Sequence, residues 1–384
     1  MAITWEKITG VLSASGYHRV DLFQVVAAAY ITRKWENEPL WVLAIAPPGS
    51  GKTCTVTMFR EAPDVVTVSA LTPAGLMSGW GGDQCDRSLL NELQSGQLLV
   101  AKDFGTVLSM GWQASNEIFG YLREAFDGYV QKTFGNCHRE YRPKFNFVAA
   151  ATEASDMSRS LSSQLGERFL RFKVRSPVLP IPPPKIVENT YGYIGDWLRE
   201  LEKGSPHELT ITEHRWISDL ATAVAKLRTE VIRDGKSREI SEVPGFEGTA
   251  RLQIQFGKLY AGLMMVTGDK KDTQTILRHT ARSSVKPTMY RITEMIRSKP
   301  YKYSAIEIAD ELRCGYQVVR RILESMYAFR LVERRKENVY PKKHHWSLTK
   351  EFYKETAVMF DDVLVPTKRV VPMKKKTVRR SKPK

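Results

Sequence analysis

Eight consecutive residues, Ala46-Pro47-Pro48-Gly49-Ser50-Gly51-Lys52-Thr53, carry the most specific chemistry in this chain. Gly49 and Gly51 allow successive backbone N–H groups to point into one concavity, and a helix starting at Lys52 adds the partial positive charge of its N-terminus. Lys52 then reaches the outer phosphates of a nucleoside triphosphate, and the Thr53 hydroxyl can ligate Mg²⁺. The spacing is that of the Walker A pattern with Ala46 in place of its first Gly, and Pro48, Gly49, Ser50, Gly51, Lys52, Thr53 and Cys54 form the nucleotide-contacting run. A second polar group ends another apolar run, Leu98-Leu-Val-Ala-Lys-Asp103. A strand parallel to the first would set the Asp103 carboxylate near the Mg²⁺ bound through Thr53. The residue after it is Phe104, not an acid that could orient water, so a general base must come from elsewhere, with Glu153 the first candidate. Asp103-Phe104-Gly105 also spells a kinase motif, but no HRD catalytic loop and no GxGxxG turn accompany it.

These groups need rigid strands behind them. Residues 40–45, 64–69, 98–103, 145–151 and 170–174 are apolar runs of the length and composition of buried strands, and the phosphate loop sits between the first of them and a helix to about residue 60. Residues 1–39 read as helical, chiefly 20–35, and residues 112–126 carry Ile118, Phe119, Leu122 and Phe126 at helical spacing. Residues 129–134 and 137–142 around Gly135-Asn136 read as a hairpin from which Lys132, Arg139 and Arg142 project. The Gly-rich stretch 71–82 forms no regular element. Its Leu76, Met77 and Trp80 are either a tip for a partner or a DNA strand, or a packed loop.

The chain has 384 residues, 42% of them hydrophobic, enough for two or three domains with real cores. No run of about 18 uncharged apolar residues occurs and residues 1–9 lack the basic and apolar regions of a signal peptide, so the reading is a soluble, intracellular (cytoplasmic) protein with no membrane partner. Cys54, Cys85, Cys137 and Cys314 are widely separated and indicate neither a zinc site nor a disulfide framework. The formal charge is +16, and nine Lys or Arg without an acid lie between residues 367 and 384. Such a tail is expected to be disordered and to contact phosphates without sequence preference; a solubilising tail or localisation signal is the alternative.

Phosphate loop, acid-ended strand, hairpin, a fourth strand ending at Thr152, and Arg168-Phe169 just before a fifth strand follow one another in the order of the AAA+ ATPases, which the chain resembles over residues 1 to about 280. The resemblance implies an α/β fold, a P-loop NTPase parallel sheet flanked by helices, over residues 1–178, then a linker and small helical lid over 179–285. It implies ATP and Mg²⁺ as cofactors, Thr152 as the sensor 1 residue that holds the attacking water or terminal phosphate, and Arg168 as an arginine finger reaching a neighbouring subunit's nucleotide; local sequence also allows a strand-end turn at Thr152 and a surface ion pair of Arg168 with Glu167 or Asp156. Arg251, Leu252, Gln255, Lys258 and Leu259 match an R-L-x-x-Q-x-x-K-L pattern of MCM-type helicase lids, with Arg251 as sensor 2 or an exposed helix charge. A finger in trans implies a homo-oligomer, a ring or open spiral, hexameric. The hairpin before the sensor 1 strand then becomes the DNA-gripping element of its pore, through Lys132 and Arg139.

Residues 286–350 read as a separate module: helices over 288–298, 304–313 and 316–327, then a hairpin around Glu337-Asn338, which is the order of a winged helix. In its third helix Val319, Ile322, Leu323 and Met326 share an inner face, while Gln317, Arg320, Arg321 and Glu324 face outward, toward a major groove. Arg334, Arg335, Lys342 and Lys343 of the wing are set for phosphates. The module carries a net +8, which favours duplex DNA over a protein-docking role. Residues 351–384 are the basic tail. The expected activity is that of a DNA-dependent ATPase, a replication helicase or initiator of a phage or mobile element; the alternative is an ATP-switched loader or regulator serving a helicase or transposase.

Overall fold

The computed structural model describes residues 3–17, 19–80, 86–153, 168–174, 188–336 and 344–360, with no side-chain description at 188 and 189. The five apolar runs are strands β1 (Trp41–Ile45), β2 (Val65–Val68), β3 (Leu98–Ala101), β6 (Asn146–Ala151) and β7 (Phe169–Lys173), with β4 (Val130–Thr133) and β5 (His138–Tyr141) forming the hairpin between β3 and β6. All five are parallel, in the order β2-β3-β6-β1-β7. Period-two alternation divides β1 between two layers: Val42 and Ala44 enter one core cluster, Trp41, Leu43 and Ile45 the other. Both faces are therefore covered, as a parallel sheet requires. The run at 64–69, expected to be buried, is half-exposed because β2 is a sheet edge.

On the first face the almost entirely buried helix Val20–Ile31 crosses Ala250–Thr267. Gly262 makes that crossing possible, since a Cβ there would stand 2.9 Å from the Ala28 carbonyl. On the second face Trp112–Phe126 packs an aromatic layer containing Trp41, Phe104, Phe119, Phe126, Phe145, Phe147 and Phe169. The other edge strand, β7, is capped by Lys270–Ser283 and the residue after it. The Arg171 and Lys173 amides donate to the Ser284 and Ser283 hydroxyls at 3.0 and 3.1 Å.

Helices Pro287–Ser298, Ala305–Leu312 and Tyr316–Ala328 and the antiparallel strands β10 (Val332–Lys336) and β11 (His344–Leu348) follow in the expected order; a short pair, β8 (Ile232–Arg233) with β9 (Ile240–Glu242), precedes them. Their core is not separate. One cluster of buried side chains runs from Ile8 through Leu259 and Leu323 to Phe360. The tail also begins later than residue 351, because Lys350–Glu355 is a helix and Phe352, Met359 and Phe360 are buried. Lys226 fastens that end to Glu355 at 2.6 Å, and the Arg278 and Arg282 guanidinia donate to the Val358 and Met359 carbonyls. The proline-rich linker, the wing tip with Lys342 and Lys343, and residues 361–384 lie outside the described residues.

Candidate functional site

At the carboxyl ends of the strands the loop after β1 turns through Gly49 and Gly51, with φ of 73° and 84°, the left-handed region open to glycine at little cost. Gly51 is the residue before helix Lys52–Thr57. Lys52 is buried, and its Nζ donates to the Pro47 carbonyl at 3.3 Å. Burial pushes the lysine pKa below its ordinary value, and the Asp103 carboxylate, close enough for its charge to act, opposes that shift. The Ser50 Oγ is buried with no hydrogen-bond partner among the described residues, whereas Thr53 is exposed and Cys54 half-buried.

Strand order brings the other groups to this loop. β6 lies between β1 and β3, and both flanking segments bond to its last two residues. The Ala46 amide donates to Ala151 O at 3.2 Å and the Phe104 amide to Ala150 O at 2.7 Å. Thr152, half-buried, and Glu153, exposed, follow directly, so they emerge between the glycine loop and Asp103. Asp103 is exposed, and its Oδ1 accepts from the Gly105 amide at 2.9 Å. Phe104 is fully buried against Phe119, Phe147 and Phe169, so the position where an acid was missing points into the core rather than toward the loop. Thr53 and Asp103 are the two groups here that could hold Mg²⁺. Two protein ligands plus phosphate oxygens suit that ion, and no group of three His, Cys, Asp or Glu that could hold a metal occurs among the described residues.

Sequence reasoning missed two residues beside the loop. Arg19 donates from Nε to the Ser50 carbonyl at 2.9 Å, and the Tyr17 hydroxyl meets Thr55 Oγ1 at 2.6 Å. Both come from the segment ahead of helix Val20–Ile31, and no local pattern marks them.

The arginines lie at the opposite end of the sheet. Phe169 pairs with Trp41, the first residue of β1, so Arg168 is separated from its own glycine loop by the whole strand, roughly 15 Å at ~3.3 Å per residue. It is 8% exposed and bonds Asp127 Oδ2 at 2.7 Å. The alternative partners named from sequence, Glu167 and Asp156, lie outside the described residues. Arg251 lies alongside: the Arg168 and Arg251 guanidinia sit 5.6 and 5.5 Å from the Phe126 ring centre, and Arg251 Nε is 3.7 Å from Glu38 Oε2. Burial lowers the Arg168 pKa, Asp127 opposes this, and Arg251 adds to it. Gln255, one turn on, donates to the Arg168 carbonyl at 2.6 Å, and Lys258 donates to the Trp35 carbonyl at 3.2 Å. The i, i+4, i+7 spacing of Arg251, Gln255 and Lys258 thus serves this one edge.

The hairpin is not the free basic arm that was expected. Lys132 bonds Glu117 at 2.6 Å and the Tyr121 hydroxyl, both on helix Trp112–Phe126. Arg139 faces inward and is buried, donating to the Ser78 carbonyl at 3.3 Å beside Asp86. Strand alternation is the reason, since Arg139 and Tyr141 share the inner face while His138 and Glu140 face solvent. Arg142 stays exposed. The hairpin also holds the glycine-rich loop, through Asn136 Nδ2 to Gly79 O at 2.9 Å and Phe134 against Gly79. Leu76 and Met77 are core residues, and of the expected apolar tip Trp80 alone is exposed, at 76%.

In helix Tyr316–Ala328 the faces are as expected: Val319, Leu323 and Met326 are buried, Ile322 half-buried, and Gln317, Arg320 and Arg321 exposed, with Arg334 and Arg335 exposed on β10. Glu324 is instead half-buried between Arg320 at 2.7 Å and Arg233 of β8 at 3.3 Å. Among the described residues no helix is long and apolar enough to cross a membrane. Compared with family models and with curated proteins, the sequence matched neither.

Proposed function

We propose that this protein is an oligomeric, DNA-dependent ATPase in which the Ala46–Thr53 loop of each subunit holds ATP and a neighbour supplies Arg168 and Arg251. The observation that carries the reading is the division of the sheet. Lys52, Thr53, Asp103, Thr152 and Glu153 gather at one end, and two arginines too distant to serve the same pocket gather at the other. Gly49 to Lys52 would cradle the phosphates with backbone amides, and Lys52 would neutralise the outer ones. Thr53 and Asp103 would hold Mg²⁺, which when bound would offset negative charge on the phosphates. Glu153 would accept the proton of the attacking water and Thr152 would orient it. The neighbour's Arg168 would exchange Asp127 for phosphate charge developing in the transition state. DNA would be met by the winged-helix arrangement of residues 287–348 through Gln317, Arg320, Arg321, Arg334 and Arg335, with Lys342 and Lys343 beyond. Lys52→Ala should abolish DNA-stimulated phosphate release; turnover at the native rate in that variant would remove the reading.

Within it, translocation as a replication helicase or initiator is one form. The slow, ATP-switched loader or regulator is the other, and two observations favour it: Phe104 is buried where a water-orienting acid would stand, and Lys132 and Arg139 are held within the subunit. Unwinding of a forked duplex with ATP supports the helicase; ATP-dependent DNA binding without unwinding supports the loader.

A further inference from the structure

Glycine gives the loop after β1 its turns and leaves positions 49 and 51 without side chains to hold them. The loop's own backbone bond, from the Ser50 amide to the Pro47 carbonyl, is long at 3.4 Å. Firmer restraint comes from outside. Arg19 Nε donates to the Ser50 carbonyl at 2.9 Å, while the Thr55 amide and hydroxyl donate to the Gly51 carbonyl at 3.0 and 3.1 Å. In a trans peptide the C=O and the next N–H point to opposite sides. Drawing the Ser50 carbonyl toward Arg19 therefore turns the Gly51 amide away from it, and drawing the Gly51 carbonyl toward Thr55 turns the Lys52 amide away from Thr55. Those are two of the amides that the proposed function gives to phosphate.

Arg19 is itself held in place. It directly precedes the buried helix Val20–Ile31, and its carbonyl accepts from the Phe23 amide at 3.0 Å and the Tyr17 hydroxyl at 2.9 Å. The Tyr17 hydroxyl also meets Thr55 Oγ1 at 2.6 Å, so one buried phenol touches both restraints. Burial raises the Tyr17 pKa well above its ordinary value, and the phenol keeps its proton. Arg19 is half-buried, with its Cγ 3.9 Å from where a Cβ on Gly51 would stand, so its stem packs against the loop's second left-handed residue.

We infer that Arg19 and Tyr17 are positioning residues of the nucleotide site, which fix the direction of the Gly51 and Lys52 amides before phosphate arrives. The inference rests on the phosphate-loop reading and adds to it a part played by chain ahead of the sheet. Setting two donors in advance lowers the cost of ordering glycine on binding. The benefit belongs to the phosphate cradle and not to base or ribose, so it is shared by every ligand that presents a phosphate there.

Calorimetric titration of the full chain with ATP, ADP and inorganic pyrophosphate, each with Mg²⁺, is the test. Arg19→Ala should weaken all three by the same factor, about 10-fold, the scale of one hydrogen bond from a charged donor. Tyr17→Phe should weaken all three by about 3-fold, on the scale of a neutral hydrogen bond, and serves alone if Arg19→Ala does not fold. Both losses should be the same at low and high salt, because the restraint is local. A loss for Arg19→Ala that disappears at high salt makes Arg19 an attracting charge and overturns the positioning role. A loss for ATP and ADP that spares pyrophosphate places Arg19 on base or ribose and overturns it too. Wild-type affinities in both variants overturn the inference and leave the phosphate-loop reading standing. A native chain that binds none of the three removes that reading, and the inference with it.

Discussion

The two ends of the central sheet are built on opposite terms. At the carboxyl ends of β1, β3 and β6 burial is mixed: Thr53, Asp103 and Glu153 are exposed, Thr152 is half-buried, Lys52 is buried, and Ser50 Oγ is buried without a partner among the described residues. At the amino ends the polar groups are sheltered and ion-paired, although Arg251 Nε, Glu38 Oε2 and Gln255 Oε1 are buried without a hydrogen-bond partner among the described residues. Arg168 is held by Asp127, Arg251 approaches Glu38, and Lys258 is capped by the Trp35 carbonyl. Under the proposed function, Arg168 would act on a neighbour by trading the Asp127 carboxylate for phosphate. Because carboxylate and phosphate both accept charge-assisted bonds from a guanidinium, that trade can be near neutral in free energy, which is what a reversible subunit contact needs.

The most severe way to break this comparison is Arg168→Ala. Nucleotide binding should persist while hydrolysis falls about 10³-fold or more, on the scale of an arginine finger. Mixing that variant with Lys52→Ala subunits should restore part of the turnover measured as phosphate release; a mixture as inactive as its components would mean that the two ends do not meet across an interface. Arg251→Ala should cost roughly 10- to 100-fold in the same assay, about 1.4–2.8 kcal/mol in barrier, with KM for ATP little changed.

A third expectation concerns the amino-end edge alone. Lys258 is buried, and burial first, then Lys144, lowers its pKa to about 8, with Glu38 opposing. The folded state therefore releases this proton more readily than the unfolded chain, whose lysines titrate near 10.4. Between pH 8 and about 10.4 the unfolded state binds more protons, so this group makes stability rise with pH; below pH 8 its buried charge is a constant burden. Lys258→Met should raise the midpoint of thermal unfolding at pH 7 by an amount equivalent to about 1–2 kcal/mol and remove the alkaline rise. A lower midpoint would mean that the bond to Trp35 outweighs the desolvation. The smallest effect is expected from Asp127→Asn, within about 1 kcal/mol of stability, because Asp127 is half exposed. It should sharpen the comparison by releasing Arg168, so that ATP turnover rises at low protein concentration, where assembly is limiting.

Most of the secondary structure was legible. Buried parallel strands are short apolar runs, the glycine loop falls between a strand and a helix as its spacing predicts, and the 3.6-residue period of helix Tyr316–Ala328 separates its faces without reference to anything else. The limits of the domains were less so. Phe352, Met359 and Phe360 look like the start of a basic tail until helix Ile211–Arg228 and its neighbours are in place to cover them.

What sequence alone determined is local: which residues can turn at Gly49 and Gly51 and which runs become strands. What only the tertiary structure decided is who meets whom. The insertion of β6 between β1 and β3 brings Thr152 and Glu153 to the loop, and the parallel pairing of β7 with β1 sends Arg168 to the far end. Lys132 and Arg139 look free in the sequence, and local sequence offers Arg168 only Glu167 or Asp156, yet the three find partners 15, 61 and 41 residues away. A cation's availability depends on the electrostatic and packing environment assembled around it, and that environment comes from distant segments whose approach no local periodicity encodes.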